Sequence, residues 1–414
     1  MSIARASSVA AILAVVSAAH AQTPSAVQDT SRYRDLARRV VQTSAAVKPG
    51  EVVYIVGGSH TIPFMEAIGT EVMRTGAVPV MTLESQSVIG AFIRDLPEQN
   101  LRTYDSLTTA LASDQFKRAD VIVMLPVVDN PDTLFATLRA DTARMAKMMK
   151  TWSASQERYD AMRNNSRARL VYLNYPPTRT AIAGSGMDSA SFDRMAWDAM
   201  TADYDRIAAA GQSIKRLLDS GKSVRVTTPD GTDLRFSLTG RSAAMTGATL
   251  TAEQRRAKLA AQRSITLPGG RVAVAPLESS GSGKVVVARD ECLGAPLVNA
   301  RFEVRAGKLT GFQADSGRAC ITSFLNSAPG PDDMLGMLSI GLNPAIKPVE
   351  TGRGFRPWEA SGAVVVAFGN NIDLGGKNNT PSGVPFWLSK ATVEIDGKAI
   401  VKDGQVVTNV AQGR

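Results

Sequence analysis

The chain has 414 residues and a formal charge of +9, from 47 Lys and Arg against 38 Asp and Glu. With 44% hydrophobic and 21% charged residues it has a globular composition, which excludes disordered and fibrous classes, and it is long enough for two domains with their own cores. The excess positive charge attracts anions at long range, but the basic residues are scattered rather than gathered with aromatics on one face, which excludes a nucleic-acid partner.

The first 21 residues read as an export signal. Arg5 supplies the positive start, Val9 to Ala18 is an apolar run, and Ala19-His20-Ala21 has the small-x-small pattern of a cleavage site, so the mature chain is expected to begin at Gln22. The apolar run is too short to anchor in a bilayer. No later run is long enough either, so a product without a membrane span, periplasmic or secreted, is expected.

Residues 22–190 alternate strands with helices. Val52 to Val56 is an apolar run closed by Gly57-Gly58, the pattern of a buried parallel strand. Thr61 to Arg74 carries Ile62, Met65, Ile68 and Val72 at helical spacing, and Gly76 stops it. Val78 to Leu83, Asp120 to Leu125 and Arg169 to Leu173 read as further strands with helical segments between them. Such a series predicts a parallel sheet covered on both faces, an α/β domain. The loop Gly57-Gly58-Ser59-His60 falls where such sheets bind ligands, but it lacks the third glycine of a dinucleotide fingerprint. His60 is the one histidine left once His20 is removed with the signal. It is a candidate catalytic residue, beside the plainer reading of a polar loop residue or helix cap.

Residues 191–222 read as one amphipathic helix linking the halves, with Phe192, Met195, Met200, Tyr204, Ile207, Ile214 and Leu218 on a single stripe. From 223 to 414 the period changes. Val224 to Thr228 and Leu234 to Leu238 flank the turn Pro229-Asp230-Gly231-Thr232-Asp233 as a hairpin. More short strands follow, giving a β-rich α+β domain. Cys292 and Cys320 both fall here. An oxidising compartment permits a disulfide between them, and two free buried thiols are the alternative.

Three frames in this half are distinctive: LPGGRVAVAP from Leu267, MLGMLSIGLNP from Met334 and GAVVVAFGNNIDLGG from Gly362. With VKPGEVVYIV near Val47, TPDGTDLRFSL and the closing DGKAIVKDGQVV, they resemble the aminopeptidase T family of dinuclear metallo-aminopeptidases over nearly all of the mature chain. The resemblance implies an α/β N-terminal domain, a β-rich C-terminal domain that carries two divalent metal ions, and a homodimer. It also implies ligands that this chain lacks. The family's LPGG is followed by a metal-binding glutamate, and here Arg271 follows. Its Gly-Glu pair is matched by Gly336-Met337, its strand histidine by Val365 and its catalytic tyrosine by Ile372. Its histidine-x-aspartate is matched by Phe386 and Leu388. A related iron-dependent branch, which opens hydroxylated pyridine rings, resembles the family in needing histidine and carboxylate ligands too.

A guanidinium repels a divalent ion, a thioether is a poor ligand for the usual ions, and hydrocarbon is none. The expectation is therefore no metal and no other cofactor, and a repurposed binding protein for a peptide or a small anionic and apolar ligand, with Arg271 as the binding cation. The alternative is a hydrolase with a changed site. It would use His60 or Glu278 as catalytic groups, helped by Lys284 or Lys377, since Ser59 is not placed for a triad by standing next to His60, or a carboxylate-only metal site drawn from Glu278, Asp290, Glu291, Asp332 and Asp333.

Overall fold

A computed structural model describes residues 31–130, 158–292, 295–325, 331–347, 357–380 and 383–407, together with 133, 136, 144 and 155. The expected export signal and its cleavage site lie outside the described residues. The architecture is mixed α/β as expected, with one parallel and two antiparallel sheets.

The chain enters through helix α1 (Ser31–Arg38) and reaches β1 (Val52–Gly58), α2 (Ile62–Arg74), β2 (Val78–Glu84), α3 (Gln86–Asp95), α4 (Glu98–Arg118), β3 (Val121–Met124) and β4 (Arg169–Leu173). The alternation of β1 sorts its side chains. Val53 and Ile55 are fully buried in the main core with Phe64, Met65, Ile68 and Val72 of α2. Tyr54 and Val56 point to the other face, against a smaller cluster built on Phe116, Ile122 and Leu170. Arg169, at the start of β4, is almost fully buried and ion-paired to Glu51. It ties the bottom of β4 to the turn that feeds β1.

The linking segment is not one helix. Ser189–Met200 (α6, after the short α5 at Arg179–Gly184) and Tyr204–Ser220 (α7) are separated by a break at Thr201–Asp203. The physical cause is a capping signal inside the stripe. The Asp203 side chain accepts from the Arg206 amide at 3.1 Å and starts a new helix. The Tyr204 hydroxyl donates to the Ala199 carbonyl at 2.8 Å and holds the corner.

Beyond β5 (Ser223–Thr227), β6 (Asp233–Ser237) and β7 (Ala244–Thr246), the chain returns to the first sheet. Strand β8 (Ser264–Leu267) pairs parallel with β4 and completes the order β2-β1-β3-β4-β8. The parallel sheet thus takes its last strand from sequence well past residue 223. The remaining strands are β9 (Arg271–Val274), β10 (Ser282–Cys292), β11 (Ala295–Arg305), β12 (Lys308–Gln313), β13 (Leu335–Gly341), β14 (Val364–Gly369), β15 (Gly383–Leu388), β16 (Thr392–Ile395), β17 (Lys398–Lys402) and β18 (Gln405–Val406). They form an eight-stranded sheet, β12-β11-β10-β6-β5-β16-β17-β18, and a five-stranded sheet, β15-β14-β13-β9-β7. The two sheets pack face to face, with the Phe302 ring of β11 4.6 Å from that of Phe386 on β15.

Cys292 and Cys320 form a disulfide from the end of β10 to helix α8 (Arg318–Leu325). Closing this loop, with a sequence separation of 28, restricts the unfolded chain and stabilises the fold by about 3.5 kcal/mol.

Candidate functional site

The five-stranded sheet holds most of the positions that the sequence singles out. Its entry point is the turn Leu267-Pro268-Gly269-Gly270 between β8 and β9. Gly270 has φ +113°, and a Cβ there would stand 2.9 Å from Ile207 of α7, so only glycine fits. The turn is clamped from outside. The fully buried Asn343 amide donates to the carbonyls of Gly269 (3.1 Å) and Ala199 (3.2 Å). The Gly269 amide donates to the Tyr204 hydroxyl at 3.0 Å. The recognisable LPGG and LNP frames are therefore brackets that aim β9, and they keep that task whatever residue follows them.

Cross-strand partners share a face of a sheet, so the pairing sorts the site residues. Val365 lies opposite Ser339 and Trp387, and Ser339 lies opposite Ala273. Arg271, two residues before Ala273, pairs with Gly341, and Met337 pairs with Ala367. Arg271, Met337, Ser339, Val365 and Trp387 thus occupy one face. Phe386 pairs with Val366 and Leu388 with Val364, so these two occupy the opposite face. That face is the sandwich core, where Phe386 meets Phe302 and Phe368. Ile372 lies past β14 in a single helical turn, Ile372–Leu374. The structure brings Arg271, Met337 and Val365 to one face of the sheet, where Val365 is fully buried, and does not bring Phe386, Leu388 or Ile372 with them.

The shared face has its own polar chemistry. The Arg271 guanidinium lies 3.9 Å from the Glu359 carboxylate, which is 1% exposed, and 5.8 Å from the centre of the Trp358 ring. Arg271 is therefore held by an acid and an aromatic face rather than offered as an isolated cation. Ser339 Oγ and Trp387 Nε1 are buried and have no hydrogen-bond partner among the described residues. Two orphaned donors on one face are unusual in a native interior. Sequence reasoning missed Ser339, Trp387 and Glu359. The only available signal was the two-residue period counted outward from Val365.

Glu278 is built into the structure differently. It sits in a single turn, Glu278–Ser280, after β9. Its carboxylate accepts from the Lys377 amide (2.7 Å) and Asn371 Nδ2 (3.1 Å), and is paired with Arg241. Burial pushes its pKa up, but these hydrogen bonds and the Arg241 charge outweigh burial and hold it below the ordinary value. A carboxylate locked in that way is a poor proton acceptor. Asp332 is buried and accepts from Thr380, Asp333 pairs with Lys308 at 3.2 Å, and Asp290 and Glu291 lie on β10. Lys284 and Lys377 are exposed. Among the described residues no three His, Cys, Asp or Glu side chains gather as a metal group.

His60 stands apart, at the C-terminal end of β1 in the turn Ser59–Thr61. An alanine Cβ at Gly58 would come within 2.3 Å of the Val127 carbonyl oxygen, so glycine lets the two loops close on each other. Ser59 is exposed, and His60 is half-buried with Nε2 unpartnered among the described residues. Burial lowers the His60 pKa, the Asp129 charge raises it and Arg179 lowers it, with a net fall below the ordinary imidazole value of 6.5. The folded state thus favours neutral imidazole, and the unfolded chain takes up the proton first as pH falls. Stability is expected to drop with acidification between 6.5 and the lower folded value. In His60→Gln that part of the slope should vanish in urea melts run across this range, and an unchanged slope would show that His60 does not carry it.

The chemistry follows from the donor set. A pair of divalent ions needs several anionic or imidazole ligands. The shared face supplies a guanidinium, a thioether, a hydroxyl, an isopropyl and an indole, with Glu359 committed to Arg271. These residues do not fit two metal ions. They can enclose an apolar group and donate hydrogen bonds to an acceptor.

The model of the thermophilic metalloprotease (M29) family matches residues 29–350. AmpT from Thermus thermophilus is similar in structure, with a TM-score of 0.70 at 16% identity, over 91% of this chain and 99% of that one. A 2,5-dihydroxypyridine dioxygenase from Pseudomonas putida is similar with a TM-score of 0.56 at 13% identity, over 92% of this chain and 99% of that one. No curated protein matches the chain.

Proposed function

The chain belongs to the thermophilic metalloprotease (M29) family, and from that premise we propose that it is a binding protein on the aminopeptidase scaffold, not a two-metal peptidase. One observation carries the reading. The sheet face that gathers Arg271, Met337 and Val365 also gathers Ser339 and Trp387, and presents no carboxylate or imidazole from its own strands. Its donors, Ser339 Oγ and Trp387 Nε1, suit a ligand with acceptor oxygens, and its hydrocarbon suits an apolar body. A peptide end or a small apolar carboxylate has both. No described residue favours the hydrolase alternative: Glu278 is locked by three groups, and His60 follows a strand of the parallel sheet rather than the sheet that holds Arg271.

We place this protein in the periplasm as a homodimer, with the chain starting at Gln22. No helix among the described residues is long and apolar enough to cross a membrane.

The test uses protein purified from the periplasm without added metal. Metal analysis should find only substoichiometric zinc, cobalt, manganese or iron, and N-terminal sequencing and sizing should report Gln22 and a dimer. N-acetyl-leucine, as a probe carboxylate, should bind about tenfold more weakly to Ser339→Ala, the loss of one hydrogen bond to a charged acceptor. Tightly bound stoichiometric metal with chelator-sensitive release of N-terminal amino acids would overturn the reading.

A further inference from the structure

The second face of the parallel sheet is incompletely covered. Helix α4 crosses it but buries only Phe116 of its 21 residues. Leu107 and Leu111 on the same helix remain 61% and 72% exposed. A cavity of about 630 Å³ lies between this helix and the sheet, within the size range of small-ligand sites. Tyr54 of β1 and Met124 of β3 face it from the sheet, and Tyr159 and Met162 close one side. These are aromatic and thioether groups, the usual wall of a site for organic ligands.

The charge in the cavity has one sign. None of the described residues that line it is basic, although the chain as a whole carries +9. Three carboxylates line it: Glu84, Asp105 and Asp114. Asp105 is paired with Arg158, and Asp114 with Arg118 at 2.8 Å. The Glu84 carboxylate has no ion pair or hydrogen bond among the described residues. It is exposed at the end of the edge strand β2, on the same face as Thr82 and Tyr54. Desolvation nonetheless raises its pKa, which marks a carboxylate short of a counter-charge. The Tyr159 phenol is pushed up to about 12, first by burial, then by Tyr172 and Asp160 against the opposing Arg163 charge, and least by Glu84, and both Glu84 and Tyr159 line the cavity.

We propose that this cavity binds an organic cation, an ammonium or guanidinium on an aromatic or aliphatic body, with Glu84 as counter-ion and Tyr54 and Tyr159 as aromatic walls. The cation would replace the missing partner of Glu84 and lie against ring faces that attract it. The apolar body would fill the space that α4 leaves open. The site is separate from the Arg271 face and does not rest on the reading of it.

Calorimetry on the full chain with phenethylamine and its neutral isostere, phenethyl alcohol, tests this. The amine should bind at least about tenfold more tightly than the alcohol. Glu84→Gln, a change at an exposed position, should abolish the preference and leave the two probes alike. Met162→Trp, which fills the cavity and leaves the charge, should weaken both. Equal binding of the two probes to the native protein, binding of neither, or a preference that persists in Glu84→Gln would overturn the proposal.

Discussion

Phe386→Ala is expected to lower the unfolding free energy by about 4 kcal/mol, and Met337→Ala by only about 1.5 kcal/mol. Both residues stand at positions matched to metal ligands, yet the sheet turns them in opposite directions. Phe386 is 1% exposed, with its ring 4.6 Å from Phe302 and 6.1 Å from Phe368. Its truncation opens a cavity between two sheets that are both tied into the fold, so little collapse can relieve it. Met337 is only partly buried, at the edge of the core cluster. Urea melts of the two variants give the comparison directly. Equal losses would mean that the face assignment in β15 is wrong. The same geometry predicts that an imidazole at Phe386 stays inside the sandwich, whereas Trp387→His places one beside Val365 and Ser339.

The sequence was most legible where periodicity and punctuation agreed. The runs at Val52 and Arg169 have the pattern of strands and are strands, and the turn at Pro229 joins a hairpin one residue from where the pattern puts it. Each has a clear period or a turn signal that survives tertiary packing. The break in the linking helix was less visible, because the apolar stripe continues across it while Asp203 restarts the capping. Strand β8 was missed because four residues, Ser264–Leu267, carry too little pattern to show which sheet they join.

The site was hardest to read where the chain is apolar on both faces. From Val384 to Leu388 nearly every side chain is buried, so hydrophobicity has no period there and a one-residue slip leaves no trace in the sequence. That is why Phe386 and Leu388 were matched to ligands while Trp387 holds the shared face. The partner of Arg271 was equally hidden. Glu359 lies in a turn outside the strands, and only the fold places it 3.9 Å from the guanidinium.

Glu278→Ala separates a structural carboxylate from a catalytic one, and its expected cost is about 3 to 5 kcal/mol. Both carboxylate oxygens are in use. One accepts from Asn371 and the Lys377 amide, and the other faces Arg241, whose side chain is only 10% exposed. Alanine would leave that guanidinium with the Gly375 carbonyl as a remaining acceptor. The Lys377 amide and the Asn371 side chain would lose an acceptor at the same time. An uncompensated buried cation accounts for most of the loss, and the unsatisfied donors add to it. The pH dependence has a definite sign. The folded pKa of Glu278 lies below the ordinary carboxylate value of 4.5, so the native advantage over the variant is complete above that value and is lost as pH falls through the folded one. Urea melts at neutral and acid pH should therefore converge. A variant that keeps native stability at neutral pH while losing a measurable hydrolytic activity would return Glu278 to a chemical role and revive the hydrolase reading.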